Sequence, residues 1–484
     1  MKKITTFIIA IMGIICMANA QGEYEAFTFS QADYWGTARF MGAGGAFGAT
    51  GGDFSALSTN PASIGLYKRH EVSFTPMNLT FNHNDSYYYG NHNMTRKTKY
   101  TIPQAGTVSA FSIHSGNNWK YWQFGFGFNR IMDFNNTYRY NANTHNTLMD
   151  MVVNRVNGIP YNLLSGDGQL AWNSWLIDTL PGTNNQYYSL FDDEDLSQRA
   201  VVNRSGGINE MVISIGGNYN DKLYLGATIG FPFLDFKEIT TYSEAPVDGG
   251  NIYGINDYSL YSEQRNSGTG VNLKLGVIYQ PADFIRIGAS FHTPTYYWTI
   301  RDYFYREMTT YYVNADPNRS KNTDSYTNNY RYSLTTPLKF NVNTSFLIAK
   351  RAFIAAEYEF ENYSMANLYA DDYDFVKENE AIATKFGVAH SVRVGAEVNI
   401  TQGFALRAGY RLKTSPYKSA PADYNNTTHY ISAGLGFRGK VFFGDLAYVY
   451  RMNKDSYWLY DPEGEPGLCS TKSHSIVATI GCKF

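Results

Sequence analysis

Arg393, Arg407 and Arg411 are the residues best able to do chemistry in this chain. They fall on one side of two successive alternating segments, where a guanidinium can grip a carboxylate head group through two parallel hydrogen bonds. Glu357, Glu359, Glu397 and Asp445 lie on the same side of neighbouring segments, so ion pairing that stiffens a wall is the competing role and the favoured one. Asp192-Asp193-Glu194-Asp195 offers clustered oxygens of the kind Ca²⁺ takes, but it reads more simply as a solvated acidic loop. The nine His show no His-Glu-x-x-His spacing, and there is no Gly-x-Ser-x-Gly elbow. No catalytic residue, metal or cofactor is expected, and the chain does not read as an enzyme.

The elements that carry these side chains alternate with a period of two. Phe404, Leu406, Ala408, Tyr410 and Leu412 oppose Ala405, Arg407, Gly409 and Arg411, and Val392, Val394, Ala396, Val398 and Ile400 oppose Ser391, Arg393, Gly395, Glu397 and Asn399. Ile354 to Glu361 and Phe442 to Arg451 repeat the pattern. A soluble antiparallel sandwich alternates too; connection lengths separate the two architectures, since a membrane barrel has short turns on one rim and long loops on the other. Short turns fall near Ser115 to Asn118, Asn220-Asp221, Pro281 to Asp283, Ala349-Lys350, Thr401-Gln402 and Arg438-Gly439, and polar stretches lie between them near 83–99, 134–208, 241–265, 305–328, 366–386, 414–427 and 453–472. Six short and seven long connections join 14 strands. The expected fold is all-β: a 14-stranded antiparallel transmembrane β-barrel spanning residues 70–484.

Composition agrees. With 40 Lys+Arg against 42 Asp+Glu the net charge is −2, which excludes the strong basic field of a nucleic-acid binder. An aromatic share of 16%, with 41 Tyr, is far above that of an ordinary globular chain and finds a place in the interfacial girdles of a barrel; Trp122, Phe124, Phe126 and Phe128 share one strand face. Residues 1–20 read as a signal peptide: Lys2-Lys3, an apolar run to Met17, and the small-x-small Ala18-Asn19-Ala20. The mature chain then holds only Cys469 and Cys482, roughly 40 Å apart along one extended segment at about 3.3 Å per residue, too far to bridge. The final alternating segment ends in Phe484, which resembles the signal read by the barrel assembly machinery during biogenesis.

Residues 21–69 do not read as strands. Gly36 to Ala49 consists of small and apolar residues, including Gly44 and Gly45, and is followed by Asp53 and by Asn60-Pro61-Ala62. No strand precedes these glycines and no Gly-Lys-Ser/Thr follows, so a phosphate loop is disfavoured. A small-residue segment ahead of a barrel is expected to fold into the lumen as a plug.

With the Ala38-Arg39 to Gly48 plug sequence, the Asn60-Pro61-Ala62 triplet, Ile287 to Pro294 and Leu406 to Tyr410 leading to Ser415-Pro416, the chain resembles the FadL-like outer-membrane transporters of long-chain fatty acids and aromatic hydrocarbons. The resemblance implies a Gram-negative outer-membrane location and passive uptake of a hydrophobic ligand. That ligand would be caught among the extracellular loops, where Tyr87-Tyr88-Tyr89, Tyr187-Tyr188 and Tyr311-Tyr312 could line an apolar pocket. It would then enter the membrane lipid sideways when the plug moves, at a kink in the third strand. Asn60, Pro61, Ala62, Gly44 and Gly45 are the expected plug and gate residues. The third strand would be Trp119 to Met132, with Gly125 and Gly127 as kink candidates, although room for the plug explains them equally well. The alternative on the same fold is a barrel subunit that anchors or shuttles protein cargo, as in type IX secretion.

Overall fold

The computed structural model describes residues 22–113, 118–190, 195–247, 249, 253–312, 321–349, 351–401, 403–420, 424–460 and 464–484. The expected signal segment, Asp192 to Glu194, and the turn residues 115–117, Lys350 and Gln402 lie outside these residues.

Fourteen antiparallel strands close into a barrel. They are β1 (Glu71–Tyr88), β2 (Asn91–Thr101 and Gln104–Ser112), β3 (Trp119–Asp133 and Asn136–Thr144), β4 (Leu196–Tyr219), β5 (Leu223–Pro246), β6 (Ile255–Ala282) and β7 (Ile285–His292 and Tyr296–Tyr312). The circuit continues through β8 (Lys321–Thr335 and Lys339–Ile348), β9 (Ala352–Asn362), β10 (Val388–Thr401), β11 (Phe404–Lys413), β12 (Thr428–Arg438), β13 (Phe442–Tyr457) and β14 (Gly467–Lys483). Closure runs from Glu71↔Lys483 to Tyr87↔Leu468.

Alternation fixes which face meets lipid. Val392 and Val394 are 39% and 42% exposed on the outer wall, while Arg393 between them is 1% exposed in the lumen. Trp122, Phe124 and Phe126 likewise point outward from β3. Cys469 is buried and Cys482 half-buried, and both thiols are free.

Several stretches expected as loops are strands instead. The interval 83–99 holds the ends of β1 and β2, joined at Tyr89-Gly90, both at positive φ. Strands β4, β5 and β6 run for 24, 24 and 28 residues, well beyond the roughly 9–11 that cross a bilayer. They rise past the membrane as paired ribbons.

Within 134–208 a small cap folds over the mouth. Thr147 and Asp150 form a capping box for a helix at Leu148–Val156 whose Leu148, Met149, Val152 and Val156 are buried. A second helix at Gly166–Asn173 and a hairpin of Ile177–Thr179 with Tyr187–Ser189 complete it. The cap packs on Tyr140, Leu196, Tyr258 and Met308 of the wall. Of the tyrosine runs, Tyr88 and Tyr187 are buried in this cluster, whereas Tyr87, Tyr89 and Tyr311 are exposed.

The lumen is filled by residues 22–69. They form helices at Glu23–Ser30 and Ala38–Gly42 and 3-10 turns at Phe54–Ser58 and Pro61–Leu66.

Candidate functional site

The plug meets the wall at three glycine-lined sockets, backbone to backbone in the first. A Cβ at Gly409 would lie 2.1 Å from Gly44 N, one at Gly395 2.1 Å from Ala43 O, and one at Gly434 3.2 Å from Gly42 Cα. Gly44 and Gly45 both take positive φ, so the chain turns where it touches the wall. The second socket holds the Asn60-Pro61-Ala62 triplet. A Cβ at Gly226 would sit 2.3 Å from Pro61 O, and one at Gly276 2.0 Å from Asn60 Oδ1. Asn60 Oδ1 accepts from Ala62 N at 3.0 Å, and Asn60 Nδ2 donates to Asn343 Oδ1 at 3.0 Å. The third socket takes Phe54 and Ile64 against Gly106, Gly125 and Gly127.

Polar contacts fasten the same segment. Arg39 grips Glu397 through Nε at 2.9 Å and Nη2 at 3.0 Å and donates to Gly52 O at 2.9 Å. Arg407 joins Glu397 at 2.6 Å and Asp445 at 2.7 Å. Arg393 pairs with Glu357 and, at 3.0 Å, with Glu359, while Glu357 also accepts from Gly48 N at 3.0 Å. Arg411 donates to the carbonyls of Asp33 and Ala32. Burial pushes the Asp33 carboxyl up, but Arg451, Arg411 and Lys413 outweigh it and hold the group below its usual range. The three arginines singled out from sequence are thus buried in charge pairing with the wall and the plug. On the opposite wall Ser290 Oγ and His292 Nε2 reach Thr59 O at 2.7 and 2.8 Å, and Lys274 pairs with Glu210.

The segment before these anchors meets a discontinuity in the wall. The β2–β3 ladder runs from Ser112↔Tyr121 to Gln104↔Asn129 and ends with Arg130 N on Pro103 O at 2.7 Å. Proline offers no N–H with which to continue it. Past this point Asn84 Nδ2 donates to Thr137 O at 2.6 Å and Asn82 Nδ2 to Asn135 O at 3.0 Å, so the upper part of β3 turns inward over the lumen side of the β1–β2 hairpin. Side chains lace the resulting seam: Lys99 Nζ meets Asp133 Oδ1 at 2.6 Å, and Lys97 Nζ reaches Asn136 O and Arg204 O at 3.1 and 2.9 Å. The register with β4 shifts between Arg130 and Met132.

The plug caps this break. Asp33 N and Tyr34 N donate to Ile131 O at 2.8 and 2.9 Å, and Trp35 N donates to Arg130 O at 2.9 Å. Inside the wall a cavity of about 50 Å³ is lined by Phe29 to Ala32, Tyr34, Ile131, Ile208, Tyr297 and His292 together with the charged Glu210, Lys274 and Lys339. Outside, an open groove of about 830 Å³ is lined by Val72, Phe74, Ile102, Phe126, Phe128, Arg130, Asn209, Met211 and Phe233. Ile131 and Ile208 face the cavity, and their chain neighbours Arg130 and Asn209 face the groove. One layer of bulged strand separates the two spaces.

Gly125 and Gly127 sit below the break. A Cβ at Gly127 would meet Ala105 O at 2.3 Å and the Phe54 ring at 2.7 Å, so at these positions the glycines make room for plug and neighbouring strand. The ladder with β2 ends at Arg130, five residues after Gly125 and three after Gly127. Sequence reading did not find Arg39, Asp133 or the Ile102-Pro103 break; a proline inside a run of alternating residues was the available signal. No cluster of three metal-ligating residues occurs among the described residues.

The family model that matches the chain is BamG, over residues 177–443. No curated protein matches it. Among solved structures, the P. putida toluene transporter TodX aligns with a TM-score of 0.53 at 12% identity, over 93% of this chain and 99% of that one. A Pseudomonas aeruginosa FadL homologue gives 0.53 at 14% identity, over 94% and 98%. At such identities the likeness is one of fold, and it is the fold that the FadL-like resemblance implied.

Proposed function

The chain belongs to the BamG family, and we propose that this member passes hydrophobic small molecules, of the class of long-chain fatty acids and toluene, from the lumen sideways into the outer membrane. The observation that carries this reading is the back-to-back placement of inner cavity and outer groove at the β3 break, with plug residues 33–35 hydrogen-bonded across it. An apolar chain avoids a cost of about 0.8 kcal/mol per CH₂ when it moves from lumen to lipid without meeting water. Diffusion down a gradient then needs no further energy source.

The cavity of about 50 Å³ is that of a closed state, since small-molecule sites take roughly 300–1,000 Å³. Opening must move the part of the plug that lines it. Residues 36–67 are clamped in the three sockets, whereas residues 23–35 meet no wall glycine and are held by the packing of Phe27 on Tyr363, Phe386 and Tyr417, of Phe29 on Phe134 and Phe236, and by hydrogen bonds to Ile131, Arg130 and Arg411. The gate is therefore residues 23–35, and Gly44, Gly45 and Asn60-Pro61-Ala62 anchor the rest of the plug. The structural likeness to TodX and the FadL homologue supports this architecture.

A second reading has its own support: the family's name associates it with barrel assembly machinery, and the same groove could seat another barrel's wall. A diazirine-bearing dodecanoic acid, photolysed with the purified protein and mapped by peptide mass spectrometry, separates the two. Labelling of Ile131 or Ile208 inside as well as Phe128 or Met211 outside supports passage. Labelling confined to the outer wall, with a second barrel protein crosslinked from the groove in membranes, supports the assembly role and removes the first.

A further inference from the structure

On the outer wall, away from the seam, four cations stand on adjacent strands as two cross-strand pairs, Lys237 on β5 with Arg265 on β6 and Arg301 on β7 with Arg331 on β8, the second pair offset from the first by two residues because Arg301 lies opposite Ser267. Their chain neighbours Phe236, Asn266, Ile300 and Tyr332 are buried in the lumen, so these side chains point away from it. Depth is set by the residues beneath them. Phe233, Leu273 and Phe291 lie on the lipid face, Tyr296 and Trp298 form the aromatic step above, and Arg301 comes next along β7. The row therefore stands at the head-group level of the outer leaflet.

Glu263 already serves two of the four, pairing with Lys237 at 3.1 Å and with Arg265. The other two are different. Arg301 and Arg331 are direct cross-strand partners, both exposed, and among the described residues no carboxylate comes within ion-pair distance of either. Of the outward carboxylates nearest in that register, Asp235 is separated from Arg301 by Ser267 on the intervening strand, and Asp371, two residues past the Ser333↔Tyr369 pair on the far side of Arg331, accepts from the Tyr369 hydroxyl at 3.3 Å and lies outside ion-pair distance of Arg331. Like charges directly opposite on a sheet repel, and the repulsion is relieved when an anion sits between them. Two planar guanidiniums about 5 Å apart at their roots suit the tetrahedral oxygens of a phosphate, each fork taking two.

We propose that Arg301 and Arg331 bind the phosphate of an outer-leaflet glycolipid of the lipid A type, with Trp298 and Tyr296 against its acyl chains. The site holds the barrel at a defined place in the lipid and does not depend on what the lumen carries. Native mass spectrometry of the detergent-purified protein with added monophosphoryl lipid A, its dephosphorylated form and phosphatidylethanolamine tests it. Arg301→Gln/Arg331→Gln is expected to weaken monophosphoryl lipid A binding at least tenfold and to leave phosphatidylethanolamine unchanged, with inorganic phosphate at millimolar concentration competing poorly. Heat-modifiable migration reports whether the pair has folded; if it has not, Arg331→Gln alone serves, with a loss of at least threefold. Binding within twofold of the parent in the folded variant overturns the proposal. So does equal binding of the phosphate-free lipid, or full displacement by inorganic phosphate.

Discussion

Gly395 and Gly409 face each other across the β10–β11 ladder, and alanine at both should unseat one corner of the plug. Each new Cβ would lie 2.1 Å from a plug backbone atom, Ala43 O in one case and Gly44 N in the other. Backbone atoms cannot rotate aside as a side chain can, so the plug must withdraw by more than about 1 Å to restore ordinary contact. Overpacking costs about 1–3 kcal/mol per site, and alanine returns about 0.4–1 kcal/mol of chain entropy at each. The net penalty is about 0–5 kcal/mol for the two sites together, which falls on the plug because the strands keep their ladder. Limited proteolysis of the plug in detergent and single-channel conductance in planar bilayers report it. We expect faster cleavage between Ala38 and Gly52 and more frequent open events, with heat-modifiable migration of the barrel unchanged. A folded double variant with parental cleavage and conductance would refute the idea that these glycines exist to seat the plug.

Other perturbations probe the charges and the gate. Arg407→Gln leaves Glu397 with Arg39 and Asp445 with Arg438, so the unfolding free energy from urea titration in detergent should fall by the lower end of the 3–5 kcal/mol expected for a broken buried pair, about 3 kcal/mol. Asn60→Ala loses a cap and the bond to Asn343 and should loosen the second socket by about 1–3 kcal/mol, read as faster hydrogen exchange at Ala62. Burial pushes the Glu25 carboxyl up to about 8 from 4.5. A raised acid favours the seated helix fully below about pH 4.5, and that support is lost as pH climbs through about 8. Exchange of residues 23–35 should therefore quicken between pH 5 and 8.5 beyond the intrinsic pH effect, and Glu25→Gln should abolish the difference.

Much of the wall was legible in sequence because lipid outside and a charged lumen inside impose a two-residue period, as Val392-Arg393-Val394 shows. The period fades where the strands leave the membrane. In Asn91–Thr101 both faces are polar, water on one and the hydrogen-bonded seam on the other, so the β1–β2 ribbon looked like a loop. The cap over the mouth was hidden for a related reason: Leu148, Met149 and Val152 bury themselves only against Tyr140 and Tyr258 of distant strands. Glycines in β3 gave an ambiguous signal, and the structure uses them for Phe54 and Ile64. The break itself depends on Pro103 in β2 and on plug amides supplied from some 95 residues earlier in the chain, a pairing that no local pattern reveals. The arginines were found, but Arg39, which ties the plug to Glu397 of the wall, lies among small residues that drew attention only as plug.

The most direct test of lateral passage is to lock the gate to the break. Tyr34 and Ile131, joined by a 2.9 Å backbone hydrogen bond, are replaced by cysteine in a Cys469→Ser/Cys482→Ser background, and uptake of a fluorescent fatty acid and of toluene into proteoliposomes is followed before and after oxidation. Uptake that stops on oxidation and returns with dithiothreitol is the expected outcome. Uptake that continues unchanged with the disulfide formed would contradict passage through the β3 seam.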